Sequence, residues 1–321
     1  MKSAFRAVVV GVGHLGQHHA RILSALDNVD LVGVIDADRD RARRISSEYG
    51  TDVIEDIGPV LGRVDGVIVA VPTQDHLVVA APLLEAGVSV LVEKPIASSS
   101  SEAEVLLRTA ESSGATLAVG HTERHNPAVV AARSLISSPG FIEVHRLSTF
   151  QSRSLDIDVV FDVMIHDIDI VLSLVGSNPV SVEAVGIPVL TERVDIANAR
   201  LRFENGCIAN LTASRISREQ VRKLRVFQPH ALVTVDYAEQ QLEAWRVSRS
   251  KDGSPSVHGG PVEVATVEPL ECEIRDFVHS VRNGSEPGVT GTAGRQALVV
   301  AEAITNEMED TNRLSEVDRV S

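Results

Sequence analysis

Ala7-Val8-Val9-Val10-Gly11-Val12-Gly13-His14-Leu15-Gly16 is the stretch that decides the fold. A β-branched run meets a glycine turn, and the turn opens directly into a helical pattern. Gly11, Gly13 and Gly16 fit G-x-G-x-x-G. In that spacing the first glycine makes the tight turn. The second lets backbone approach a pyrophosphate, and the third lets helix and strand pack closely. The free N–H groups and positive dipole end of the helix then face the phosphates. With a strand before it and a helix after it, the motif predicts a dinucleotide site lined by Gly11, Gly13, His14, Leu15 and Gly16.

Outward from the turn, Leu15, His19, Ile22, Leu23 and Leu26 share one helical face. The next strand, Leu31–Ile35, ends at Asp36, placed to accept hydrogen bonds from the adenosine ribose and to repel a 2′-phosphate. That predicts NAD rather than NADP, although Arg39 and Arg41 nearby leave room for the latter; Asp36 also fits a plain turn start. The alternation continues with a polar helix Arg39–Tyr49, strands at Asp52–Ile54 and Asp65–Val71, and a helix His76–Ala86. A strand Ser89–Val92 leads into Glu93-Lys94-Pro95, followed by a helix Ser98–Ser113 and a strand Thr116–Val119. Strands alternating with helices predict a doubly wound parallel sheet over residues 1–121. Such sheets bind ligands at the carboxyl ends of their strands. Gly11, Asp36, Pro72, Lys94 and Gly120 lie at those ends, and Thr73, His76 and Glu93 beside them join the expected cofactor set.

From residue 122 the rhythm changes, and 122–321 is read as a second domain whose last helix packs back on the first. Asn126–Ser137 reads as a helix, Glu143–Gln151 as a strand, and Val159–Val175 as a long apolar helix. Strand patterns then follow one another over residues 182–247 with no helix between them, predicting an α+β domain with an open, mostly antiparallel sheet. Asn205-Gly206 is a hairpin signal. Lys251–Pro261, rich in Gly, Ser and Pro, reads as a mobile loop. Two helices, Glu271–Arg282 and Ala293–Met308, close the chain before a polar, frayed tail.

The 321 residues are 44% hydrophobic and 23% charged, ordinary for a globular protein of two domains. A net charge of −14 argues against nucleic acid or an anionic membrane as partner. Cys207 and Cys272 are far apart and lack ligand spacing, which predicts reduced thiols in a cytoplasmic protein. No apolar run reaches the length of a membrane span, and residues 7–12 are too short for a signal peptide.

Two places carry candidate chemistry. Lys94, at a strand end between Glu93 and Pro95, can hydrogen-bond a substrate hydroxyl and stabilise alkoxide character as a hydride leaves. In the apolar helix, Asp162, His166 and Asp169 are spaced i, i+4, i+7 and share a face. His166 can take a proton from an alcohol, with a carboxylate to orient it; the same spacing also fits a purely structural His–Asp pair. His121, Glu123 and His125 alternate in a segment read as extended, but polar loop residues explain them more simply than a metal, so no metal is expected.

Gly11–Gly16, Val92-Glu-Lys-Pro95, Gly120-His-Thr-Glu-Arg-His-Asn-Pro127 and Asp162-x-x-x-His166-Asp-x-Asp169 occur in this order. Together they resemble the glucose–fructose oxidoreductase / inositol dehydrogenase / rhizopine-catabolism (Gfo/Idh/MocA) family of NAD(P)-dependent oxidoreductases. The resemblance spans nearly the whole chain. It implies a Rossmann domain followed by an α/β domain whose open sheet makes oligomer contacts, giving a homodimer or homotetramer. It also implies that Lys94 binds the reacting hydroxyl, that His166, paired with Asp162, is the general base, and that hydride passes to nicotinamide. Two departures bear on the pocket: Val159-Val160-Phe161 stands where relatives often have Gly-Gly, and His125 where an aromatic residue is common. Within the family the likeness is to the bacterial nucleotide-sugar branch. That branch implies oxidation of UDP-N-acetylglucosamine to a 3-keto sugar for later amination in lipopolysaccharide (lipid A) or surface-polysaccharide assembly. Arg124, Asn126 and Arg153, with Arg215, are then the expected substrate contacts. A dehydrogenase of free sugar or inositol, and a non-catalytic dinucleotide sensor, are the alternatives.

Overall fold

The computed structural model describes residues 3–150, 157–249 and 254–320, with side chains as far as Glu309. The chain forms two compact units, Met1–His125 with Glu268–Gln296, and Asn126–Val267 with Ala297–Ser321.

In the first unit, strands and helices alternate as the apolar periodicity requires. The order is β1 (Phe5–Val10), α1 (Gly16–Ala25), β2 (Val29–Ile35), α2 (Arg39–Tyr49), β3 (Asp52–Val53), β4 (Gly66–Val69), α3 (His76–Glu85), β5 (Ser89–Glu93), α4 (Ser100–Ser113) and β6 (Leu117–Gly120). The strands pair in parallel in the order β3-β2-β1-β4-β5-β6. This is the doubly wound Rossmann sheet, with its change of direction between β1 and β4. On α1 the predicted apolar face is buried at His19, Ile22, Leu23 and Leu26. Leu15 departs from it: it precedes the helix and stands exposed. Asp38 caps α2 by accepting from the amides of Asp40 and Arg41, and Gly50 ends it in the left-handed conformation.

The second unit has α5 (Pro127–Arg133), β7 (Phe141–Leu147), α6 (Ile165–Val175), β8 (Pro179–Ile187), β9 (Ile196–Phe203), β10 (Ile208–Ser214), β11 (Val221–Gln228), β12 (Ala231–Asp236), β13 (Gln241–Arg249) and β14 (Pro255–Val262). Its sheet runs β14-β13-β12-β11-β7-β10-β9-β8. Neighbours are antiparallel except β7 and β10, which are parallel. Alternation decides which face is covered: Ala197, Ala199, Leu201 and Phe203 of β9 share a core with Ile165, Ile168, Val171 and Leu172 of α6. Burying each of the larger aliphatic chains stabilises the fold by about 1.5–3 kcal/mol. The Asn205-Gly206 turn joins β9 to β10, with Gly206 at φ 86°.

Four local expectations are corrected. Pro255–Val262 is a strand where a mobile loop was read. Its composition misled because β14 is an edge strand, where proline is tolerated. Its Gly259 lies opposite Trp245, where a Cβ would come within 2.0 Å of the Ala244 carbonyl. Secondly, Val160–Met164, read as ordinary α-helix, is wound as a π-helical turn leading into α6, the Ile165 amide bonding back to Val160 O. Thirdly, Thr122–His125 is a 3-10 helix and not extended, so alternate residues there do not face one way. Fourthly, the closing helix α8 (Gly291–Val320) runs through the segment read as a frayed tail.

Before α8, helix α7 (Pro269–Asn283) belongs to the first unit. Its Ile274, Phe277 and Val278 join the core of β1 and α1, and Phe277 meets Phe5 edge to face at 6.2 Å between ring centroids.

Candidate functional site

In the first unit the glycine turn sits where β1 hands over to α1. Gly11 has φ 85°, and a Cβ there would lie 2.6 Å from the Ala70 carbonyl. A Cβ on Gly16 would lie 1.7 Å from the Gly11 carbonyl. Those two glycines are demanded by the turn's own packing. Gly13 is different. The nearest atom to its hypothetical Cβ is the Arg41 guanidinium at 3.8 Å, so internal packing does not require a glycine there. It leaves bare backbone facing open space at the start of α1. The first turn of α1 carries no acid, and no side chain caps it. A pyrophosphate fits this cradle. His14 and Leu15 stand exposed at its rim, His14 making an edge contact with His18.

Asp36, at the end of β2, reaches back to that turn. Its Oδ2 accepts from the Val12 amide at 2.8 Å and its Oδ1 from the Asp38 amide at 2.8 Å. The Arg41 guanidinium lies 3.4 Å from both oxygens. The carboxylate thus ties β2 to the glycine turn, next to a cation.

At the ends of β4 and β5, His76 bridges two loops. Its Nδ1 lies 2.9 Å from Pro95 O and its Nε2 3.0 Å from Val71 O. Burial pushes its pKa down, against the opposing effect of those carbonyls. As a neutral ring it donates to one of them at a time. Thr73 opens a short 3-10 turn capped by exposed Pro72. Lys94 is half-buried at the carboxyl end of β5, after a Glu93 that is almost wholly buried. Arg124 lies half-buried in the 3-10 turn after β6. His125 packs against Gly288, where a Cβ would come within 2.9 Å of its ring.

In the second unit, Asp162 falls in the π-helical turn and His166 in the first turn of α6, both half-buried. A π-turn is rare and widens the backbone, so Asp162 and His166 straddle a change of helical winding. Asp169, third of the predicted trio, is buried. Two buried ion pairs hold this segment. Arg146 of β7 clasps Asp167 with two bonds of 2.8 Å and lies over the Tyr237 ring at 5.1 Å. Arg215 donates to Asp195 at 2.8 Å, to Ile157 O at 2.7 Å and to Thr191 Oγ1 at 3.0 Å. Asp195 also accepts from the amides of Val189, Leu190 and Thr191. Asp158 and Val159 bond Val194, tying the lead-in of the π-turn to the same corner.

Arg215, read as a diphosphate contact, is therefore a buried member of this corner. Asn126 caps α5 through the Ala128 amide and donates to Tyr237 O at 3.0 Å. Arg153 lies outside the described residues. Beyond the expected residues, the structure adds Arg146, Asp167, Asp195 and the pairing of His19 with Glu93. One signal was present: Arg146 falls on the inward phase of β7 with Ile142 and Val144. An arginine there requires a buried partner. Both cysteines are free, and burial raises the Cys207 thiol pKa to about 11. Among the described residues no cluster of three or more His, Cys, Asp or Glu could hold a metal, and no helix is long and apolar enough to cross a membrane.

With this geometry in hand, comparisons with known proteins add the lineage. Residues 5–121 match the model of the Gfo/Idh/MocA oxidoreductase family, NAD-binding Rossmann fold, and residues 128–234 that of the Gfo/Idh/MocA C-terminal domain. The chain is 37% identical over 298 residues to UDP-N-acetylglucosamine 3-dehydrogenase of Acidithiobacillus ferrooxidans, covering 92% of this chain and 95% of that protein. A crystal form of that enzyme superposes with a TM-score of 0.90 at 35% identity, covering 96% of this chain and 99% of the other. Inositol 2-dehydrogenase of Rhizobium meliloti is 25% identical over 325 residues, covering 96% and 98% of the two chains.

Proposed function

The chain belongs to the Gfo/Idh/MocA oxidoreductase family, with its NAD-binding Rossmann fold, and from that premise we propose that it oxidises UDP-N-acetylglucosamine at the 3-hydroxyl with NAD. The full-length likeness to the Acidithiobacillus enzyme carries this reading. Bound NAD would supply the hydride acceptor. The open backbone at Gly13 and the uncapped start of α1 would hold its pyrophosphate, and Asp36 its adenosine ribose. Lys94 would hydrogen-bond the reacting hydroxyl and stabilise the developing alkoxide, while His166, oriented with Asp162, would take the proton. Arg124 is the assigned contact for the substrate diphosphate.

Purified protein mixed with NAD and UDP-N-acetylglucosamine should gain absorbance in the NADH band. Turnover of free inositol or glucose, with none of any nucleotide sugar, would replace this substrate with the polyol alternative. Tight NAD binding without turnover of any substrate would make the chain a sensor.

Cofactor choice is testable at Asp36. The carboxylate repels a 2′-phosphate, while Arg41 beside it would welcome one. Asp36→Ser removes the first and leaves the second. The ratio of the NAD to NADP dissociation constants, measured by calorimetry, should shift toward NADP by at least about tenfold, or about 1.4 kcal/mol. NAD should also bind more weakly, because serine is too short to keep the Val12 bond. An unchanged ratio would remove Asp36 from the ribose role.

We also assign the protein to the cytoplasm, where free thiols stay reduced, as a homodimer or homotetramer. Ile208, Phe141, Phe227, Leu232 and Trp245 form one row across the sheet face opposite the α6 core, none of them fully buried. Light scattering should give at least two chains per particle.

A further inference from the structure

Behind Lys94 lies a buried acid–imidazole pair that the proposed reaction leaves without a part. His19 of α1 is wholly inaccessible to solvent, and its Nε2 stands 2.7 Å from Glu93 Oε1. The other carboxylate oxygen, Oε2, accepts from the backbone amide of Lys94 at 3.2 Å. The sheet makes room for this carboxylate. Gly120 of β6 is the register partner of Glu93, and a Cβ there would lie 2.9 Å from Oε2. Burial works against ionisation of Glu93, but the hydrogen bond from His19, with the charge and backbone amide of Lys94 adjacent, outweighs it and holds the carboxyl below its usual range. An ionised carboxylate only accepts, so the imidazole must carry its proton on Nε2.

Placing ionisable groups beneath a parallel sheet is costly, and packing alone would be served as well by apolar residues. The position is what distinguishes this pair. It joins α1, the helix that would hold the cofactor's pyrophosphate, to the residue that would hold the hydroxyl. It acts on the Lys94 backbone directly, while His76 holds the carbonyl of the next residue, Pro95.

We propose that Glu93 is the positioning residue of Lys94 and that His19 orients Glu93, so that the pair fixes the lysine's backbone relative to the cofactor helix. The proposal rests on Lys94 contacting the reacting hydroxyl. Glu93, expected from its strand-end place to join the cofactor set, is almost wholly buried with one carboxylate oxygen on His19 and the other on the Lys94 amide, so the pair acts through Lys94 and not by contact with substrate or cofactor.

The test uses the full chain and a double-mutant cycle of Glu93→Gln, His19→Leu and both together, with His19→Gln as the conservative variant. Expected are kcat losses of roughly 10- to 100-fold in each single variant, with the NAD dissociation constant within about threefold of the parent. The double variant should lose no more than the worse single one, because the pair acts as a unit. His19→Gln should recover most of the loss by returning a donor to the carboxylate. A second readout does not need turnover. The chain has four lysines, Lys2, Lys94, Lys223 and Lys251, so lysine-selective 15N labelling isolates the Lys94 amide. Its hydrogen exchange should quicken at least tenfold in Glu93→Gln and His19→Leu. Either one reports the coupling should the other fail to fold. Parental kcat in both singles, fully multiplicative losses, or unchanged Lys94 exchange would overturn the proposal. Absence of turnover in the parent with every nucleotide sugar would overturn the proposed function, and the exchange measurement would still decide whether the pair positions Lys94.

Discussion

Turnover in a Lys94→Ala variant should fall by about three orders of magnitude, with NAD bound almost as tightly as in the parent. The size follows from chemistry. A cation aimed at a developing alkoxide contributes about 10²–10³ in rate, and a positioned proton acceptor a further 10²–10⁴. The selectivity follows from structure. Lys94 is half-buried at the end of β5, while its backbone is fixed by Glu93 on one side and His76 on the other. Truncating the side chain therefore leaves the loop in place. The turn at Gly11, Gly13 and Gly16 is a separate element of the same unit. His166→Ala should show the same pattern, at about 10²–10⁴-fold. Stopped-flow measurement of the hydride step and calorimetry with NAD separate the two effects. Full kcat in either variant would take that residue out of the reaction.

Asp195→Asn should cost the second unit about 3–5 kcal/mol, enough to lower its melting midpoint by roughly 10 °C. Asparagine keeps the shape and one acceptor, but it leaves the Arg215 guanidinium charged and buried without its counterion. Both side chains are nearly inaccessible, at 0% and 6%, so water cannot screen the loss. The sign with pH is fixed as well. Burial opposes ionisation of Asp195, yet three backbone amides and Arg215 hold its folded pKa well below the ordinary value of 3.8. A carboxyl with a depressed folded pKa contributes stability that is present above about pH 4 and lost as pH falls below it. The gap between parent and variant should therefore be largest near neutrality and narrow in acid. Thermal melts at pH 7 and pH 3.5 check this, and equal gaps would mean the pair is not ionic. The same corner anchors Ile157, Asp158 and Val159 ahead of the π-turn, so kcat should fall with stability.

What the sequence disclosed, and what it hid, divides along physical lines. The Rossmann half was legible because parallel strands are buried on both faces and read as continuous apolar runs, as in Val8–Val10 and Val67–Val69. Its strand ends, and so Asp36 and Lys94, could be placed by counting. Pairings between distant residues could not. His19 looked like packing on α1, and nothing local announces that its partner is Glu93. Arg215 carried a charge that suited a diphosphate, but Asp195 claims it. Composition misled at Pro255–Val262, where an edge strand tolerates the prolines and glycines that mark loops elsewhere. The π-turn at Val160–Met164 left no trace in hydrophobic periodicity, since one altered turn barely shifts the pattern.

The return of α7 to the core of β1 has a consequence for synthesis on the ribosome. Phe5 emerges roughly 270 residues ahead of Phe277, which covers it. At an elongation pace of about 5–20 residues per second, the first strand waits roughly 15–55 seconds for its lid. During that interval the nascent sheet offers an apolar face to chaperones. A chain cut short before Glu268 leaves the first unit without α7, fit for proteolysis and not for catalysis.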